Sequence, residues 1–238
     1  MALTYDRLKE DAKRHLAFTG LTRKEYACLL SAFSKAGREM RLKQIGASKP
    51  RKRQPGAGRQ PILVQEEDRL LFILFYLKTY PLQEVMGELF EMPTSTVNEW
   101  IHRLLPIVQQ ALDDLGVMPE RNAGEFAQQQ RERSGGKDII IDGTERRRQR
   151  PKNKAKQTLH YSGKKKTHTD KNVLIAERKT GRVSFLSKTY AGTAHDKKIA
   201  DHEDIHYDPD TVLHKDTGFQ GYEPGVSQTH QPKKAARL

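Results

Sequence analysis

The chain has 238 residues, 35% of them hydrophobic and 31% charged, enough for one large domain or two smaller ones with a buried core. Its 43 Lys and Arg against 30 Asp and Glu leave a formal charge of +13, which points to a polyanionic partner, nucleic acid before a membrane surface. No apolar run reaches membrane-spanning length, no signal-peptide core is present, and a single cysteine excludes a disulfide framework or a cysteine zinc site, so a soluble protein of a reducing, intracellular compartment is expected.

Residues 1–45 are expected to be helical, with Thr22 and Glu25 at the spacing of a capping box. Cys28, beside Leu29 and Leu30, is expected to be a small core residue. The stretch 46–61, GASKPRKRQPGAGRQP, has no apolar period and reads as a basic linker or as an arm lying along phosphates. From 62 to 125 the pattern is helical again. QEEDRLLFILFYLKTY is apolar almost all round, as a buried helix is. PLQEVMGELF gives a short second helix, and a turn capped at Thr94 or Ser95 opens a third through Val97, Trp100, Ile101 and Leu104. Helix, tight turn, helix is the helix-turn-helix plan. A hairpin in an ordinary bundle has the same pattern, but the basic surroundings favour DNA, with Asn98, His102 and Arg103 on the outward face beside Ser95, Thr96 and Glu99. The helix continues through Pro106 and ends at Gly116.

After a connector with one amphipathic segment the period changes, and residues 136–238 read as an α/β plan. KDIIIDG is a strand ending at Asp142, TDKNVLIAERKTGRVSFLSKTY two strands joined at Lys179-Thr180-Gly181, HDKKIADHEDI a short helix, and TVLHKD a strand ending at Asp216.

Asp142 and Asp216 share a context, each closing a predicted strand and preceding a loop. If the strands are neighbours, both carboxylates emerge at one end of the sheet, where open α/β sheets place their sites. Two carboxylates form a hard, oxygen-rich site suited to Mg²⁺ or Mn²⁺ and to phosphoryl transfer. A turn-forming Asp-Gly pair is the bland reading of Asp142. Between 145 and 168 stand ten basic residues and one acid, Glu145. Arg146, Arg147, Arg148, Lys164, Lys165 and Lys166 are the candidate phosphate contacts, with Tyr161 able to stack on an unpaired base. In YAGTAHDKKIA, Thr193 or His195 is expected to cap the following helix and Asp196 to play a supporting role. The remaining histidines show no zinc-like spacing.

In these blocks the chain closely resembles insertion-sequence transposases of the IS-five type, with an RNase H-like DDE domain related to the Harbinger group. YPLQEVMGELFEMPTSTVNEWIHRLLP resembles the helix-turn-helix of that family, and IIIDGTERRRQRP, YSGKKKTHTDKN, AGTAHDKKI and KDTGFQGY match its catalytic blocks in order. The resemblance implies a helical DNA-binding region followed by an RNase H-like mixed sheet. It further implies a Mg²⁺- or Mn²⁺-dependent endonuclease that cuts element ends and joins them to target DNA. Double-stranded DNA, self-association on it and a place in the bacterial cytosol with the nucleoid come with it, as do Asp142 and Asp216 as the first two catalytic acids. The third acid of the family, a glutamate on a later helix, has no counterpart. Only 22 residues follow Asp216, and Glu223 among them is the sole acid and lies in a loop. The domain therefore reads as incomplete at its C-terminus. As it stands the chain is expected to bind DNA, to cleave element ends only at background rate and to expose apolar surface near Val212 and Leu213. The alternative function is a truncated DNA-binding fragment or regulator without chemistry.

Overall fold

The alternation of buried and exposed residues that the sequence leads one to expect is present in both halves of the chain. A computed structural model describes residues 2–47, 60–132 and 137–232, and the chain divides into two compact units at Met118–Pro119. The basic stretch 46–61 lies, but for its ends, outside the described residues.

The first unit is helical: α1 (Tyr5–Leu8), α2 (Ala12–Thr19), α3 (Arg23–Ala47), α4 (Glu66–Thr79), α5 (Gln83–Phe90) and α6 (Thr94–Asp114). The capping box at the start of α3 is present, with Thr22 N donating to Glu25 Oε2 at 2.7 Å and Glu25 N to Thr22 Oγ1 at 3.3 Å. Leu70 to Phe75 of α4 are buried at six consecutive positions, and Tyr26, Leu29, Phe33, Met86, Phe90, Val97 and Leu104 close around them. Cys28 is exposed, contrary to expectation. The buried stripe of α3 runs through Tyr26, Leu29, Phe33 and Ala36 at helical spacing, and Cys28 falls beside it.

The turn between α5 and α6 is tight. Glu91 takes a left-handed φ of 51°, and Met92 N donates to Gly87 O at 2.9 Å. Pro93, not Thr94 or Ser95, takes the capping position of α6, in extended backbone and without a side-chain cap. Its fixed φ starts the helix one residue earlier than the hydroxyl residues suggest. A left-handed φ of 61° at Gly116 follows the helix end.

The second unit holds α7 (Ala123–Glu132), β1 (Asp138–Arg147), α8 (Lys154–His160), β2 (Tyr161–Ser162), β3 (Thr167–Glu177), β4 (Val183–Leu186), β5 (Tyr190–Ala191), α9 (Asp196–Glu203), β6 (Val212–Lys215), a 3₁₀ turn (Thr217–Phe219) and β7 (Gln228–His230). Residues 119–125, grouped with the helical region by sequence, fold here. Glu120 N donates to Ser184 O at 2.9 Å and its carbonyl accepts from Leu186 N at 3.0 Å.

The strands form one mixed sheet in the order β2-β3-β1-β6-β7, with β4 and β5 also pairing β3. β1 is antiparallel to β3 and parallel to β6, and β6 is parallel to β7. A helical unit followed by this mixed sheet with helices is the arrangement that the resemblance implied, the sheet being RNase H-like. The long basic loop is not all loop, since it contains α8, which buries none of its side chains, and β2. Leu213 is fully buried and Val212 half-buried, whereas Ile140 is the exposed apolar residue of these two strands. Side chains alternate across a sheet, and Leu213 points into the core of Ile139, Ile141, Ile175, Ile199 and Phe219 while Ile140 points away from it.

A methyl group on Gly87 would stand 2.7 Å from the backbone oxygen of Met92, too close for either to remain in place. Gly87→Ala is expected to cost the first unit about 1–3 kcal/mol by overpacking. Trp100, the only tryptophan, lies in that unit, so urea unfolding followed by its fluorescence measures the loss, and an unchanged midpoint would show that the turn is looser than described.

Candidate active site

Along β1, Ile139 and Ile141 are buried while Ile140 and Asp142 are exposed, as strict alternation requires. β6 pairs beside it with Ile139 opposite Leu213 and Ile141 opposite Lys215. One residue further on each strand stand Asp142 and Asp216, where the parallel pairing ends. Asp142 does not close its strand, as the sequence suggested. β1 runs on to Arg147, because β3 continues to pair with it through Arg147 and Thr169. The end that matters is that of β6.

Each carboxylate is oriented by a backbone donor. Gly143 N donates to Asp142 Oδ1 at 2.8 Å, and Gly218 N donates to Asp216 Oδ1 at 2.8 Å. Asp216 thereby caps the 3₁₀ turn. Both residues are exposed. An open hollow of about 590 Å³ is lined by Ile140, Asp142, His214, Asp216 and His230, with the two imidazoles stacked at 4.7 Å.

Asp196 is the first residue of α9, and its carboxylate lies between the two acid-bearing segments. A Cβ on Gly143 would overlap it. A Cβ on Gly218 would stand 2.9 Å from Asp196 Oδ2 and 3.0 Å from Asp216 Oδ1. Asp196 Oδ1 is buried and accepts no hydrogen bond, and its counter-charge is Lys171 Nζ at 3.2 Å. Lys171, buried on β3, also faces Glu145 Oε1 at 3.4 Å, its register partner on β1. Burial alone would raise the Glu145 carboxyl. The Ser162 hydroxyl, the Lys171 ammonium and the Thr169 hydroxyl outweigh that and hold it below its ordinary value of 4.5. Lys171 was not singled out by sequence reasoning, and Glu145 and Gly143 were noted there only as the one acid of the basic run and as the glycine that follows Asp142. The one available signal was a lysine at an inward position of a predicted strand.

The other candidates are placed as follows. His195 takes the capping position of α9 with no side-chain cap, and Thr193 is not a cap, since its hydroxyl donates to Leu159 O at 2.7 Å. Glu223 is engaged by Lys215, whose Nζ lies 2.7 Å from Glu223 Oε1 and also donates to Tyr222 O. Arg146 donates to Asn172 Oδ1 at 2.8 Å, and Arg148 to Asp170 Oδ1 at 2.7 Å beside His160. Arg147 is exposed, as are Lys164, Lys165 and Lys166 in the turn between β2 and β3. Tyr161 is 46% exposed and meets His168 edge-on at 5.6 Å. In the first unit, Ser95, Asn98, Glu99, His102 and Arg103 are exposed on α6 and Thr96 half-buried. Arg103 lies over the Trp100 ring at 5.4 Å, and Arg69 at 5.7 Å.

For a divalent cation the carboxylates open to solvent here are those of Asp142 and Asp216, both hard oxygen donors, whereas Asp196 Oδ1 is buried against Lys171 Nζ. Among the described residues no three His, Cys, Asp or Glu side chains stand close enough to grip an ion together. The arrangement fits an ion that takes one or two carboxylates and keeps several waters, as Mg²⁺ does, and does not fit a preformed zinc-like cage. Among the described residues no helix is long and apolar enough to cross a membrane.

Residues 63–114 match the family model of the helix-turn-helix of DDE superfamily endonuclease, and residues 141–237 match that of the DDE superfamily endonuclease itself. No curated protein and no solved structure matches the chain significantly. The first match covers α4, α5 and α6, and the second begins one residue before Asp142.

Because the folded Glu145 carboxyl lies below its unfolded value, its contribution to stability is complete above about pH 4.5 and is lost as the pH falls through the folded value. Glu145→Gln is therefore expected to cost about 1–3 kcal/mol at neutral pH. The gap to the unsubstituted protein should narrow steadily below pH 4.5 in urea titrations followed by circular dichroism. A gap independent of pH would remove the charged pairing with Lys171 from the account.

Proposed function

We propose that this chain, which carries the helix-turn-helix and the endonuclease parts of the DDE superfamily, is a transposase of an insertion sequence of the IS-five, Harbinger-related type. In this reading the first unit binds the terminal repeats of the element. The second cuts the DNA at its ends and joins the 3′ ends to target DNA, with two or more copies assembled on the duplex, in the bacterial cytosol at the nucleoid. The observation that carries it is the placement of Asp142 and Asp216 one step past the last register pair of two parallel strands, inside the matched endonuclease region. A DNA-binding fragment without chemistry is not favoured by the endonuclease match.

Asp142 and Asp216 are proposed to hold Mg²⁺ or Mn²⁺, each using a carboxylate oxygen while a backbone N–H fixes its rotamer. When bound, the ion supplies Lewis-acid polarisation of the scissile phosphate and a lower pKa for an attacking water or 3′-hydroxyl. The remaining work belongs to side chains of the chain itself. Lys164, Lys165 and Lys166, exposed on one turn, and Arg147 offer charge to the phosphate backbone. Arg146 and Arg148 are tied to Asn172 and Asp170, which limits their reach and fixes their direction. Asn98, His102 and Arg103, on the exposed face of α6, have the hydrogen-bonding types that read base edges in a major groove.

The decisive assay is cleavage of a duplex carrying the terminal repeats of the element in Mn²⁺. Asp142→Asn and Asp216→Asn are each expected to lower the rate by about 10²–10³-fold, the size of losing one group that stabilises developing charge. Cleavage that survives both substitutions would overturn the assignment.

Recognition is tested separately, with the full chain and competitor DNA. Asn98→Ala and Arg103→Ala are each expected to reduce discrimination between terminal repeat and random duplex by about 1–3 kcal/mol, leaving the salt slope nearly unchanged, whereas Lys165→Ala should weaken both DNAs alike and reduce the slope by about one. Equal discrimination by all three variants would remove α6 from base reading.

A further inference from the structure

The acids that carry the proposed chemistry lie on backbone segments that a third acid separates. The inward face of β1 carries Ile139, Ile141, Gly143 and Glu145 in succession, and Gly143 leaves a gap in that row. The Asp196 carboxylate occupies the gap, against the residue that follows Asp142, and its other oxygen faces Gly218, whose N–H orients Asp216. One side chain therefore touches the backbone of both acid-bearing segments.

Nothing in the local structure of α9 requires this. The carboxylate does not cap the helix, and its Oδ1 is buried without a hydrogen bond. Its side chain is 22% exposed, and it stands beside Asp216, a second negative charge. Such a placement is unfavourable without a counter-charge. Lys171 provides one, shared with Glu145, and both of these side chains are at most 10% exposed. Lys171 is anchored by register on the strand that pairs with β1, so the ion chain Glu145–Lys171–Asp196 connects β1, β3 and α9 around the segment that holds Asp142.

We infer that Asp196, held by Lys171, is a positioning residue that sets the spacing of the Asp142 and Asp216 segments and thereby the affinity of the site for a divalent cation. This rests on the endonuclease reading of that site. Asp196 acts through the backbone of Gly143 and Gly218. Residues that orient the groups holding an ion have a recognised effect of about 10–100-fold on metal affinity.

The test is Mn²⁺ titration of the full chain, following free Mn²⁺ by electron paramagnetic resonance, with thermal unfolding measured in parallel. The variants are Asp196→Ala, Lys171→Met, Lys171→Arg and, as reference, Asp142→Asn. The inference expects Asp196→Ala and Lys171→Met to weaken Mn²⁺ about 10–100-fold while remaining folded, and Lys171→Arg to recover most of the affinity by restoring the charge. If Asp196→Ala does not fold, the Met and Arg variants at Lys171 carry the comparison. Unchanged affinity in Asp196→Ala and Lys171→Met would overturn the positioning role and leave the endonuclease reading intact. A loss in Asp196→Ala as complete as in Asp142→Asn would overturn it in favour of a direct ligand. An unsubstituted protein that binds no Mn²⁺ would overturn both.

Discussion

The second unit depends on one buried cation. Lys171 is 8% exposed on a strand where Thr169, Asn172 and Val173 are also buried, and an ammonium there is tolerated only with its partners in place. Glu145 reaches it from β1 and Asp196 from α9, so the pairing of two strands and the docking of a helix meet at one nitrogen. Breaking such an arrangement from one side leaves a charge uncompensated, which is why it acts as a unit rather than as two surface ion pairs. Gly143 is the covalent condition for it. Any side chain at that position would displace the Asp196 carboxylate.

The same constraint explains the shape of the site. The buried face of β1 and β6 is continuous from Ile139 and Leu213 to Ile141 and Lys215, and strand alternation leaves Asp142 and Asp216 no inward choice. Lys215, buried on that face, is tied to Tyr222 O and Glu223, which draws the loop after Asp216 back onto the sheet. Asp216 thus follows an inward-facing lysine, Lys215, which is satisfied by Glu223 from further along the chain, whereas Lys171 reaches the Asp142 segment only through Asp196.

Much of this was legible in the sequence where the signal is periodic. The all-apolar run of α4, the Thr22–Glu25 cap, the alternation in KDIIID and the hairpin around Lys179-Thr180-Gly181 each follow from local side-chain chemistry. The paired context of Asp142 and Asp216 was legible too, because both follow apolar strands. What was not legible rests on partners remote in sequence. β1 continues past Asp142 only because β3 pairs with it, and β2, β5 and β7 are two or three residues long with no period of their own. α8 lies within a run of lysines and arginines and buries nothing, so it carries no amphipathic signature. Lys171 and Glu145 are 26 positions apart in a basic region where one more lysine attracts no attention. Glu223 illustrates the converse, since the sequence marks it as an available acid and the fold gives it to Lys215.

Arg103 has a consequence that concerns timing rather than placement. Its guanidinium already lies over the indole of Trp100, which is 7% exposed and fixed in the core of the first unit. An arginine free in solvent gives up roughly 2 kcal/mol of rotamer entropy when it is immobilised. On α6 part of that freedom is lost when the helix folds, before any ligand arrives. A polar group that meets this face finds a donor whose plane is set by the ring beneath it, so the cost of ordering falls on folding and not on association.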